Sequence, residues 1–136
     1  MGYAVRLMGR PLSHPNIEDV TVAGILHALA DPVRLAIVSE LLKAESGTSC
    51  TAITGKLAVP MPKSTCSQHY RILREAGLVV SERKGVELRS RVRLRELDSR
   101  FPGLVQSILK AHEREVVKTR RRGRGARSIA APVGSA

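Results

Sequence analysis

Pro62-Lys63-Ser64-Thr65-Cys66-Ser67-Gln68-His69-Tyr70-Arg71-Ile72-Leu73-Arg74-Glu75-Ala76-Gly77 decides how the rest of this 136-residue chain is read. Cys66, Tyr70 and Leu73 fall at i, i+4 and i+7 and so line one face of a helix. Ser64, Thr65, Ser67, Gln68 and Arg71 fall on the other face. Pro62 and Ser64 are start signals, and Gly77 is a stop of the left-handed type. Gln can pair bidentately with adenine and Arg with guanine, while Ser and Thr reach base edges or phosphates. By itself such a stretch also describes an ordinary surface helix. Its neighbours decide between the two readings.

Upstream, Ile53 and Leu57 at i, i+4 mark a short helix from about Ser49. Ala58-Val59-Pro60-Met61-Pro62 must then turn, because two prolines one residue apart cannot continue a helix. Short helix, turn and polar-faced helix follow the helix-turn-helix order. Downstream of Gly77 the period changes to two. Val79, Ser81 and Arg83 alternate with Leu78, Val80 and Glu82, and Lys84-Gly85 turns the chain. Val86, Leu88, Ser90 and Val92 then alternate with Glu87, Arg89, Arg91 and Arg93. This is a hairpin with one packed face and one mostly arginine face. Attached to the polar-faced helix, it forms a wing whose Arg83, Lys84 and Arg89 can touch phosphates or a minor groove.

Further out, Val22, Ile25, Leu26 and Leu29 give a first helix from about Asn16 to Ala30. Asp31-Pro32 restarts the chain as N-cap and first helical residue. Val33, Leu35, Ile37, Val38, Leu41 and Leu42 then form a stripe too wide for a surface helix, so this is the expected central helix. Phe101, Leu104, Val105, Ile108, Leu109, His112 and Val116 make a late stripe, interrupted near its start by Pro102. It is expected to pack on the first helix and on a second copy of the chain. Three segments result: a flexible N-terminal arm at 1–15, a DNA-binding and dimerisation domain at 16–117, and a disordered basic tail at 118–136.

The formal net charge of +11 points to a polyanionic partner. Its distribution says more: residues 118–136 carry six of these charges and residues 81–95 a net four. Only Tyr3, Tyr70 and Phe101 carry rings. Binders of single-stranded nucleic acid stack bases on several aromatics, so duplex DNA is the expected partner. Two cysteines make no disulfide framework. No run approaches the roughly 18 apolar residues needed to cross a membrane, and no signal peptide is apparent. The chain reads as soluble and cytoplasmic. No phosphate loop, carboxylate pair or nucleophile motif suggests an enzyme, and no cofactor is implied.

Leu29-Ala30-Asp31-Pro32-Val33-Arg34-Leu35, followed by Ser64 to Val79, resembles the ArsR/SmtB family of bacterial winged-helix regulators. The first stretch is similar to that family's "ALADPTRLxIL" segment and the second to its "STxSxHLxxLREAGLV" recognition helix. The resemblance runs from about residue 17 to 117. It implies a mainly α fold with a small β-hairpin, a winged helix-turn-helix dimeric through its first and last helices. It also implies a repressor released from its operator by an effector, here unidentified. The family's DNA-contact positions fall on Lys63, Ser64, Thr65, Ser67, Gln68 and Arg71, with wing contacts near Arg83, Lys84 and Arg89. The rival reading is an architectural protein that coats DNA without choosing sequence.

Neither usual metal site of that family is matched. Cys50 lies near the thiolate site of the helix before the recognition helix, but without a paired Cys. On the last helix, the pattern counted from Asp98 meets Arg100, Ala111 and Arg114. His112 and Glu115 are each one residue out of register, a turn of roughly 100° on a helix. Cys66 and His69 at i, i+3, with Cys50 as third donor, form an alternative ligand set. A Cys50–Cys66 disulfide is another, if their Cα atoms lie within about 7 Å. Set against both is the plainer expectation of a small buried Cys and a locally bonded His.

Overall fold

The computed structural model describes residues 10–44, 47–57 and 60–134. The chain divides into two compact units, Met1–Pro102 and Gly103–Ala136. The first holds β1 (Arg10–Pro11), a 3-10 turn (Ile17–Asp19), α1 (Val22–Leu29), α2 (Pro32–Ala44), β2 (Thr48–Ser49), α3 (Cys50–Lys56) and α4 (Lys63–Glu75). The hairpin strands β3 (Val79–Lys84) and β4 (Glu87–Val92) follow, then α5 (Leu94–Arg100). The second unit is α6 (Leu104–Gly134). Among the described residues, no single helix is long and apolar enough to cross a membrane.

The first helix is shorter than its apolar period suggests. Val20 is extended and 2% exposed, and Thr21 then caps α1 by accepting from the Gly24 amide at 3.0 Å. Asp31 starts α2 as expected, its Oδ1 accepting from the amides of Val33 (2.8 Å) and Arg34 (3.1 Å). Burial pushes the Asp31 carboxyl up, but those amides and the Arg34 charge override it, leaving it below the usual range. With Ile37, Val38 and Leu41 buried, α2 is the centre of this unit and packs on α1, α3, α4 and β4. The helices around it bury Ile25 and Leu29 of α1, Ile53 of α3, and Tyr70 and Leu73 of α4.

The wing is a four-stranded antiparallel sheet in the order β1-β3-β4-β2. Its centre is the β3–β4 hairpin, with Val79 opposite Val92, Ser81 opposite Ser90 and Lys84 opposite Glu87. The chain reverses through Gly85-Val86, where Gly85 takes φ +65°. A lone hairpin would be marginal. Here two-residue strands flank it: Arg10 pairs with Arg83 on one side, and Ser49 pairs with Arg89 on the other. The Leu12 amide adds a bond to the Ser81 carbonyl, and the Ser81 amide donates to His14 Nε2 at 2.9 Å. Arg93, only 6% exposed, pairs with Glu96 at 2.9 Å and donates to the Pro15 carbonyl at 2.8 Å. The segment from 10 to 15, expected as part of a flexible arm, is therefore tied to the wing. Residues 1–9 of that arm lie outside the described residues.

In the second unit, α6 continues as helix to Gly134, across most of the span expected to be an irregular basic tail. The missing apolar period there shows that no face needs burying. It does not oppose helix formation, since Arg and Ala are good helix formers.

Candidate nucleic-acid interface

Three local devices set α4 in place. At its start, Pro62 precedes Lys63, and the first helical bond runs from the Cys66 amide to the Pro62 carbonyl at 3.0 Å. At its end, the Gly77 amide bonds the Arg74 carbonyl and the Leu78 amide bonds the Leu73 carbonyl, both at 3.0 Å. This is the Schellman pattern, and it needs the left-handed Gly77 at φ +84°. The third device comes from the motif at residues 29–35. Arg34 Nε donates to the Ala28 carbonyl at 2.6 Å, and Nη1 lies 3.4 Å from His69 Nδ1 on α4. A guanidinium can only donate, so in this contact His69 Nδ1 is the acceptor. Arg34 thus joins the end of α1 to the side of α4.

With the helix so held, Cys66, Tyr70 and Leu73 face inward, at 8%, 1% and 0% exposure. Lys63, Ser64, Thr65, Ser67, Gln68 and Arg71 are all exposed. Every residue expected to read bases or phosphates from this helix is therefore on its solvent side. Arg71 Nε meets Glu75 Oε2 at 3.3 Å, but the two side chains are 65% and 66% exposed. A surface pair of this kind holds weakly, so the guanidinium can leave it for a phosphate or a base.

The wing divides its cations differently. Arg83 and Lys84 are exposed at the tip of the hairpin, beside Gly85 and Val86. Arg89 is not free in the same way. Its Nη2 donates to the Gly47 carbonyl at 2.9 Å, and its Nε is buried without a partner. It braces the connection before β2. Register also places Glu82 opposite Arg89 and Glu87 opposite Lys84, so the solvent face of the hairpin is less basic than its arginine count suggests. Arg91, opposite Val80 and exposed, is a further cation on this face. Its alternation with Ser90 and Val92 is the sequence signal that places it there, although it is not among the wing contacts expected from the sequence.

The sulfur and imidazole groups do not converge. Among the described residues, no three His, Cys, Asp or Glu side chains are gathered as metal ligands would be. His69 faces Arg34, and Cys66 Sγ lies 3.2 Å from Thr54 Oγ1. Cys50, Cys66 and His69 are thus not brought together as a ligand set.

Helix, turn, exposed polar helix and paired wing define a winged helix-turn-helix. A helix-turn-helix domain family matches residues 29–82. The transcriptional repressor SmtB of Mycobacterium tuberculosis is 44% identical over 75 residues, covering 54% of this chain and 53% of SmtB. The chain thus spans about half the length of that relative. The transcriptional regulator YceK of Bacillus subtilis is 30% identical over 91 residues, covering 67% of this chain and 89% of YceK. A solved ArsR-like transcriptional regulator from Rhodococcus sp. RHA1 is 28% identical, covering 79% of this chain and 91% of that one, with a TM-score of 0.47. The chain belongs to the ArsR/SmtB family of helix-turn-helix regulators.

Proposed function

We propose that this protein is a transcriptional repressor that binds double-stranded DNA as a homodimer and reads its operator with α4. The observation that carries this reading is the clean division of α4. Its inner face is bound into the core, while Ser64, Thr65, Ser67, Gln68 and Arg71 are all displayed to solvent. In such a helix, Gln68 and Arg71 supply bidentate contacts to base edges, and Lys63 supplies a phosphate contact near the helix start. Arg83 and Lys84 extend the phosphate contacts from the wing. These set affinity and salt dependence, and the helix sets sequence choice.

Dimer formation is supported by apolar side chains left in solvent on α1, where Val22 is 43% and Leu26 is 51% exposed. Release of the operator by an effector follows from the family, and the effector's chemistry is open.

The rival reading, a protein that coats DNA without choosing sequence, draws on the net charge of +11 and on the exposed cations Lys118, Arg120, Arg121 and Arg122 of α6. Single substitutions separate the two. Gln68→Ala and Arg71→Ala are expected to reduce discrimination between operator and random duplex by about 1–3 kcal/mol each. Fluorescence anisotropy on both duplexes measures this. Equal weakening on the two would move the reading to the coating protein.

A further inference from the structure

The charges of α6 are sorted by side. A helix turns about 100° per residue, so Lys110, Arg114, Lys118 and Arg121 fall within about 80° of one another. All four are exposed. The opposite side holds Val105 and Leu109, 1% and 5% exposed, with Ile108, His112 and Val116 half-buried beside them. Glu113 and Glu115 fall on the flanks between the two sides, and no acidic residue follows Glu115 in the sequence. Arg114, Lys118 and Arg121 border one open depression together with Glu113 and Val117, so the stripe is a shared surface as well as a spacing. None of the four cations forms an ion pair among the described residues.

Such a stripe works against the helix that carries it. Lys110 with Arg114 and Arg114 with Lys118 are i, i+4 pairs, and Lys118 with Arg121 is an i, i+3 pair. Like charges at these spacings destabilise a helix. A polyanion laid along the stripe removes the repulsion. From Lys110 to Arg121 the stripe is about 16 Å long. That is room for several phosphates, which follow one another every ~3.4 Å along the axis on one DNA strand.

We propose that this stripe is a second, sequence-independent contact to duplex DNA, with the phosphate backbone as its ligand. Other polyanions fit it less well. A membrane-surface helix needs a free apolar face beside its cations, whereas Val105 and Leu109 are already buried. A single-stranded nucleic acid needs rings to stack on, and α6 has no aromatic residue. Contacts to phosphate fix no sequence. The proposal rests on DNA being the partner and not on α4 choosing the sequence.

Two double variants that lose equal charge separate the stripe from net charge. Arg114→Gln with Lys118→Gln takes two cations out of it, and Arg120→Gln with Arg122→Gln takes two exposed cations from beside it. Gln is a good helix former, so both variants should keep the helix content of the wild type by circular dichroism. Fluorescence anisotropy measures affinity for a scrambled duplex and for one from the protein's own upstream region, between about 50 and 200 mM salt. The stripe variant should lower the slope of log affinity against log salt by about two per chain on both duplexes. The other variant should lower it by less than half as much. Arg114→Lys, which keeps the charge, should keep the slope. The ratio of the two affinities should stay that of the wild type in the stripe variant, whereas Gln68→Ala changes the ratio. Equal slope losses in the two double variants, or an unchanged slope in the stripe variant, would overturn the proposal and leave the α4 reading standing. A wild type that binds neither duplex would overturn both. Tighter binding to phosphatidylglycerol vesicles than to the scrambled duplex, lost in the stripe variant, would give the stripe to a membrane surface instead.

Discussion

Replacing Gly77 by alanine probes the junction that sets α4 against the wing, and it combines two costs that can be separated. Gly77 adopts φ +84°, in the left-handed region, where an L side chain costs about 1–2 kcal/mol. The added Cβ would also sit 2.3 Å from Val20 Cγ2. Val20 is 2% exposed and has little room to retreat, and overpacking of this kind costs a further ~1–3 kcal/mol. The expected loss is therefore about 2–5 kcal/mol, a large fraction of a small domain's stability. Gly85→Ala isolates the first cost. Its φ is +65°, but a Cβ there meets nothing within 4 Å, so about 1–2 kcal/mol should be lost. Urea denaturation followed by circular dichroism measures each variant. In a Val20→Ala background Gly77→Ala should lose only its strain cost, giving a coupling of about 1–3 kcal/mol. If Gly77→Ala costs no more than Gly85→Ala, or the cycle shows no coupling, the close approach of Val20 is not what fixes the junction.

Other perturbations test other joints. Asp31→Ala removes the cap of α2 and should lower stability by about 0.5–2 kcal/mol in the same denaturation assay. His14 is held below its ordinary value of 6.5, by burial first and then by Arg93, Arg74 and Arg91, against an opposing hydrogen bond with Leu12. The folded state therefore binds this proton less readily than the unfolded chain. Its contribution is fully present above about pH 6.5 and declines as pH falls below that value. Melting curves between pH 5 and 7.5 should show this slope in the wild type and a flatter one in His14→Gln. At the wing, Arg83→Ala and Lys84→Ala should each lower the slope of log affinity against log salt by about one. Arg89→Ala, which frees the Gly47 carbonyl, should show first as lost stability; an effect on the salt slope alone would return Arg89 to the contact set.

The parts of the fold that repeat locally were legible in the sequence. Cys66, Tyr70 and Leu73 announce the buried edge of α4 because a helix brings every third or fourth residue to one side. Val79, Ser81, Ser90 and Val92 announce the hairpin by simple alternation. What escaped was either too short to have a period or dependent on distant partners. Arg10–Pro11 and Thr48–Ser49 become strands only because β3 and β4 offer them edges. Arg34 was legible as part of a motif, yet its contact with His69, 35 positions away, needed the fold. Alternation gives the face of Arg89 and so predicts a wing cation, whereas its bond to Gly47 depends on where the β2 connection passes. The helix beyond residue 117 escaped for the opposite reason, since its sequence has helical propensity but no apolar stripe to read.

The central claim is that α4 chooses a sequence. It is tested most directly by titrating the reduced protein against a duplex from its own upstream region and against a scrambled duplex of equal composition, at about 150 mM salt, where non-specific contacts weaken. A preference of roughly 10³-fold or more for the upstream duplex is the predicted result. Equal affinities would contradict it and leave a protein that binds DNA through its charge alone.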